Sequence, residues 1–372
     1  MQLSFLHPLY DRPGPWCSVY LDASRDTQDA RPALDLRWRA LAGQLAADGA
    51  DEPTIAALDR VVRGHDPLPG DYGLAAFANR GRVVLSEYLA APPLRDLAAY
   101  APLPHVMPLL AQRGEQVAWV RVLADRTGAD AVAVSAGGVP RRAHVTGRQS
   151  YPLRRVQPGG WSQSRYQRAA TEAWHHNAGD AAAATAELAD RVGADVVVVA
   201  GDVRATGMIA AQLPARWQDL VVRTDAGSRA GGADPAAMDD VTVQTIAEVA
   251  DQHVSAALDR FGTQQDVGVG LDAVVAALQR NQVDTMLLVD DPSADGELWI
   301  GPRATDIATA PDQLAAVADP QRVRADAALV RALVGTDADL TVLGPDEAPD
   351  LADGVGAVLR YVDPATPGRD HG

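Results

Sequence analysis

Residues 154–168 read Arg-Arg-Val-Gln-Pro-Gly-Gly-Trp-Ser-Gln-Ser-Arg-Tyr-Gln-Arg. Their types and spacing suit contact with a polyanion. Gly159 and Gly160 permit backbone turns that a Cβ resists. Ser162 reads as the N-cap of a helix, which sets Arg165 and Arg168 one turn apart on one face. Arg154 and Arg155 flank the glycines on the other side. Guanidinium groups match phosphates, and Trp161, Tyr151 and Tyr166 offer rings on which unstacked bases can lie. The expected product is a loop tip carried on a helix and flanked by cations. Arg154, Arg155, Gly159, Gly160, Trp161, Ser162, Gln163, Arg165, Tyr166 and Arg168 form the candidate RNA-binding set. No residue is assigned a catalytic role.

Composition narrows the chemistry further. All 33 basic residues among the 372 are Arg. Without Lys there is no Walker A phosphate loop, no pyridoxal or aldolase-type Schiff base and no kinase Lys. The net charge of −16 excludes a uniformly basic nucleic-acid coat. The distribution is more telling than the total. Residues 131–171 hold seven Arg and no acidic residue, whereas 232–372 hold eight Arg against 25 acidic residues. RNA contact is therefore expected at one end of the molecule, with the acidic remainder repelling other RNA.

Other reactive side chains read as structural. The one cysteine, Cys17, lies in an apolar run and reads as a small buried hydrophobe. His175 and His176 are adjacent, so on a helix they face different ways, and a solvated or C-terminal capping role is expected. Asp290-Asp291 reads as a turn of solvated carboxylates at a strand end. Gly201-Asp202 follows a Val run but lacks the Gly-x-Gly-x-x-Gly spacing of a nucleotide loop. No metal and no cofactor is expected. No signal-like N-terminus and no apolar run of ~20 residues is present, so a cytoplasmic monomer without membrane contact is the expectation.

The elements that must position the central motif follow from periodicity. The segment 1–112 reads as an α/β domain with a strand at 17–21, helices at 32–47 and 54–62, and a hairpin of 73–79 and 82–89 around Asn79-Arg80-Gly81. Prolines from 92 to 108 break regular structure before a boundary. The segment 113–235 has strands at 117–123 and 129–134, a Gly- and Arg-rich stretch to 160, and helices at 162–176 and 181–191. A buried strand follows at 195–200, then a helix and a strand at 220–223, as in a parallel βαβ unit. Residues 227–234 read as a Gly-rich link. The segment 236–372 opens on a long helix to 261, then a helix at 270–280 and a strand at 283–290. Helix–strand alternation continues to 361.

The motif also carries a resemblance. Gly159, Gly160, Ser162, Arg165, Tyr166 and Arg168 form a Gly-Gly-x-Ser-x-x-Arg-aromatic-x-Arg pattern. It resembles the central domain of archaeal and eukaryotic class-one peptide release factors. Residues 268–289 resemble the third domain of those factors and of Pelota. The stretches 18–26 and 353–361 are similar to the bacterial branch of the superfamily, which includes Balon-type ribosome hibernation factors. The resemblance implies an α/β, three-domain release-factor-like architecture, each domain a mixed or mostly parallel sheet with flanking helices. It implies domains at 1–112, 113–235 and 236–372, the last a Pelota-like α/β sandwich.

By the same resemblance the tip would reach the ribosomal A site and peptidyl-transferase centre, with elongation factor Tu as a delivery partner. In the family a Gly-Gly-Gln tip positions the water that cleaves peptidyl-tRNA. Trp161 stands where that glutamine would be, and an indole can only donate a hydrogen bond. The expectation is a hibernation or rescue factor, a stress-response translation protein, that docks without hydrolysis. The alternative is a peptidyl-tRNA or aminoacyl-tRNA hydrolase with an altered tip. An RNA-binding stress protein unrelated to the ribosome is the third class.

Overall fold

The computed structural model describes residues 1–372 apart from 25–29, 67–69, 115–116, 126, 136–139, 147–160, 230–235, 265–267, 292–295, 348–350 and 363–372. Side chains are likewise described outside 140, 146 and 161–173. The fold is mixed α/β. The chain forms two compact units, one of Met1–Glu115 with Val254–Gly372 and one of Gln116–His253. The segments 1–112 and 254–372 thus share one unit, and the helix opening at Ala236 runs across position 253.

The N-terminal part runs α1 (His7–Tyr10), β1 (Trp16–Asp22), α2 (Ala30–Ala47), α3 (Glu52–Gly64), β2 (Gly73–Asn79), β3 (Arg82–Leu89), β4 (Leu97–Ala101) and α4 (Met107–Arg113). Its sheet has the order β3-β2-β1-β4 and is antiparallel throughout. A mixed or mostly parallel sheet was the expectation. The tight turn at Arg80 and Gly81, both at positive φ, closes β2 onto β3 as an antiparallel hairpin. β4 then returns along the other side of β1, within the proline-punctuated stretch that reads as irregular. β1 is buried on both faces. Cys17, Val19 and Leu21 meet Leu34, Trp38, Leu41 and Leu45 of α2 and Leu58 and Val62 of α3. Trp16 and Tyr20 face the opposite core. Burial, with Asp51 adding to it, pushes the Cys17 thiol up to about 12, so it stays a protonated hydrophobe.

The second unit runs β5 (Trp119–Asp125), β6 (Gly128–Val134), β7 (Pro140–Thr146), α5 (Trp161–Val192), β8 (Val196–Gly201), α6 (Val203–Gln212), α7 (Ala215–Gln218) and β9 (Val221–Thr224). Its five-stranded sheet has the order β7-β6-β5-β8-β9. β5, β8 and β9 are parallel neighbours, as the Val run and its following helix predict. β6 and β7 extend the sheet antiparallel. Helix α8 (Ala236–Thr263) follows.

The C-terminal part adds α9 (Leu271–Gln279), β10 (Val283–Val289), β11 (Glu297–Ile300), β12 (Ile307–Ala308), β13 (Gln321–Arg324), α10 (Ala325–Gly335), β14 (Asp339–Leu343) and β15 (Val355–Leu359). β14-β10-β15 is a mixed sheet and β12-β11-β13 a separate antiparallel one. Val274, Leu278, Val330 and Leu333 of the two helices share one core with Met286, Leu298 and Leu340 of the strands. That core continues into Leu6, Trp16, Phe77 and Leu110 of the N-terminal part. Met1 donates from its amino group to Leu340 O at 2.5 Å, and Leu340 N donates back to Met1 O at 3.0 Å.

Gly201 shows how tightly the second unit's sheet is closed. Its φ is 114°, and a Cβ there would lie 2.1 Å from the carbonyl oxygen of Ala124 on β5. Gly201→Ala is therefore expected to destabilise the protein by about 2 kcal/mol or more, since both the left-handed backbone and the strand contact oppose it. Urea unfolding would read this as a lower midpoint. An unchanged midpoint would contradict the close approach.

Candidate RNA-contacting face of the central unit

Helix α5 carries most of the candidate set, and it is one helix of 32 residues rather than two. The run Asn177-Ala178-Gly179-Asp180 reads as a break, yet the helix passes through it. Packing outweighs the penalty of about 1 kcal/mol for a helical glycine. A Cβ on Gly179 would lie 3.0 Å from the Gln212 side chain of α6, and Gln212 Nε2 donates to His175 O at 3.2 Å. Ala178, Ala181, Ala182, Ala186 and Ala189 then form a stripe of small buried residues. It packs with Val120, Val122, Val197 and Ile209. Thr185 Oγ1 donates to Ala181 O at 2.7 Å, so its buried hydroxyl is satisfied within the helix.

Among the described side chains of α5 the buried stripe begins at Asn177. Trp161 begins the helix, about 24 Å further along its axis at 1.5 Å per residue. Ser162 therefore stands inside the first turn and not before it, so the N-cap reading is corrected. Gln163, Arg165, Tyr166 and Arg168 follow on the same helical backbone, with Arg165 and Arg168 three positions apart. Their side chains lie outside the described residues, as do Arg154, Arg155, Gly159 and Gly160 entirely. His175 and His176 are exposed, and His176 lies 3.8 Å from Asp180 one turn on. The helix continues to Val192 beyond them, so a C-terminal capping role does not apply.

Two other marked positions resolve locally. Gly201-Asp202 is a strand end and a helix cap. Asp202 accepts from Arg204 N at 3.0 Å and Ala205 N at 3.1 Å, so a carboxylate already occupies the place an anion would take. Asp290 donates its N–H to Leu343 O at 2.9 Å. Burial, with Asp291 and Asp326 adding repulsion, pushes its carboxyl up. Among the described residues no group of three or more His, Cys, Asp or Glu is placed to hold a metal ion.

Two features escaped the sequence reading. The first is β7 itself, within the stretch read as a Gly- and Arg-rich loop. It pairs with β6 over its whole length, and Ala143 and Val145 lie opposite the core residues Ala131 and Ala129. The second is Arg229, just beyond β9 in what reads as a flexible link. Its Nη1 donates to Asp125 Oδ1 at 2.8 Å and its Nε to Asp130 Oδ2 at 2.8 Å. Asp125 also accepts from Thr127 N and Oγ1, each at 2.6 Å. His144 of β7 pairs with the other oxygen of Asp130. One guanidinium thus fastens the β5–β6 hairpin and neutralises its carboxylates.

Those carboxylates carry a pH signature. Burial pushes Asp125 up, but hydrogen bonds from Thr127 and the charge of Arg229 outweigh it and hold the group below its ordinary value. Asp130 behaves alike: burial raises it, and Arg229 and His144 bring it lower. A depressed carboxylate stabilises the fold above its unfolded pKa of about 3.9, and that contribution is lost as pH falls through the folded value. Arg229→Ala is expected to cost about 1 kcal/mol at neutral pH, a figure reduced for the partial exposure of both acids. The urea midpoints of variant and parent should converge on acidification through the carboxylate range. A gap that persists in acid would assign the loss to packing alone.

Comparison with known proteins places this geometry in a lineage. Residues 118–266, nearly all of the second unit and the whole of α8, match the model of bacterial archaeo-eukaryotic release factor family 2. Uncharacterized protein Rv2629 of Mycobacterium tuberculosis (strain ATCC 25618 / H37Rv) is 30% identical over 356 residues, covering 94% of each chain. Among solved structures, the chain is similar to the crystal structure of an archaeal translation termination factor, aRF1. That match has 14% identity, 96% of each chain and a TM-score of 0.23. It is also similar to a model of ribosome-bound archaeal Pelota and ABCE1, with 14% identity, 96% of this chain, 93% of that chain and a TM-score of 0.41. Through the match of its central unit and the near-complete overlap with its mycobacterial relative, the chain belongs to bacterial archaeo-eukaryotic release factor family 2.

Proposed function

We propose that the protein is a translation factor that binds the ribosomal A site in hibernation or rescue, and that its Gly159-Gly160-Trp161 tip approaches the peptidyl-transferase centre without cleaving an ester. The observation that carries this reading is Trp161. It follows the paired glycines and begins the long helix α5, in the place where the family's hydrolytic factors hold a glutamine. An indole has one N–H to donate and no acceptor, so it cannot both receive a proton from water and orient it. Its flat face suits stacking on an rRNA base, worth about 1–3 kcal/mol. Membership in a release-factor family supports the ribosome as partner. Arg154, Arg155, Arg165 and Arg168 contact rRNA phosphates in this reading, and Ser162, Gln163 and Tyr166 complete the surface. Delivery by elongation factor Tu and a monomeric state belong to the same proposal.

Co-sedimentation with vacant bacterial ribosomes and a peptidyl-tRNA hydrolysis assay test it together. The protein should pellet with ribosomes and leave the ester intact. Trp161→Ala should weaken binding about tenfold, as loss of one stacked base requires. The double change Arg154→Gln with Arg155→Gln should flatten the salt dependence by close to one logarithmic unit per lost phosphate contact, roughly. Turnover of peptidyl-tRNA by the unmutated protein would overturn the non-hydrolytic reading in favour of a release-factor-like hydrolase.

A further inference from the structure

The outer strand β7 presents a cation on each side of the central sheet. Arg141 lies opposite Ala133 of β6, which is fully buried in the core under α5. Arg142 lies opposite Val132, whose other neighbour is Arg121 of β5 on the face away from that core. Residues paired across an antiparallel ladder share a face, and successive residues alternate. Arg141 and Arg142 therefore leave the strand on opposite faces of the sheet, and both are exposed. Neither has an acidic partner among the described residues. The nearby acids are taken: Asp130 by Arg229 and His144, and Asp239 by Arg121. Among the described residues the sheet ends at β7, and no described strand pairs with that strand's outward backbone groups.

We infer that the β7 edge is a second RNA-binding site, distinct from the tip of α5, whose ligand is the phosphate backbone of an RNA duplex. A thin edge with a guanidinium on each face fits between two phosphate strands, and its outward N–H groups can reach phosphate and 2′-hydroxyl oxygens. Pairing with a strand of another protein fits less well. Such edges are blunted by charge, and the half-buried side chains of β7, Ala143 and Val145, turn inward toward α5. The surrounding run from 131 to 171 holds no acidic residue, so an approaching polyanion meets no like charge from it.

The choice of RNA rests on the ribosome reading above, and the test separates the two. Full-length protein is titrated by fluorescence anisotropy into a labelled RNA duplex of about 16 base pairs, and by co-sedimentation into vacant ribosomes, each over a range of salt. The double variant Arg141→Gln with Arg142→Gln should bind the duplex about tenfold more weakly and lose about two units from its log–log salt slope. Arg141→Lys with Arg142→Lys should keep the slope, which separates lost charge from lost fold. Duplex binding that depends on these two Arg, in a protein that ignores ribosomes, would uphold this site and sink the ribosome reading. Failure of the parent protein to bind the duplex would overturn the inference. So would an unchanged slope in the Gln variant, whether or not that variant self-associates through an unguarded edge.

Discussion

The close seat of α5 on its sheet is the constraint on which the rest depends. A stripe made mostly of alanines, with Leu188 its one buried leucine among the described residues, seats the helix against β5, β6 and α6. Small residues make such a stripe intolerant of extra volume, because interiors are packed to crystal-like density. The same stripe fixes where the helix points. The helical backbone from Trp161 to His176 continues that anchored segment without a break. In the proposed reading, a helix already formed spends little backbone entropy on binding.

Charge is arranged with the same economy. The protein is acidic overall, yet its central unit keeps the acids beside the basic run engaged. Arg229 draws Asp125 and Asp130 together at the hairpin, and Arg121 takes Asp239. Among the described residues the exposed Arg141 and Arg142 of β7 thus have no acidic partner.

Local signals were legible and distant pairings were not. Asn79-Arg80-Gly81 announces the β2–β3 hairpin because two positive-φ positions suit few other turns. The Val run of β8 announces a strand buried on both faces. By contrast, β4 lies between prolines and exists because β1 pairs with it across most of a domain, Trp16 opposite Ala101. β7 begins with Pro-Arg-Arg and becomes a strand because β6 offers its edge. The break expected at Gly179 is absent because α6 comes too near for a larger residue. Arg229 sits among glycines with no periodicity around it, so its two aspartate partners could be found only in three dimensions. Of the candidate site, the helical placement of Arg165 and Arg168 was legible from spacing, and Ser162 stands two residues deeper in the helix than a cap.

The central claim is that a helix-borne Gly-Gly-Trp tip lodges at the peptidyl-transferase centre and leaves the ester uncut. A cryo-electron microscopy map of the purified protein on vacant bacterial ribosomes tests it most directly. The account predicts the N-terminal end of α5 directed into the large subunit, with the Trp161 ring stacked on an rRNA base. A bound molecule whose α5 points away from that centre, or whose Trp161 is folded back into its own domain, would contradict it.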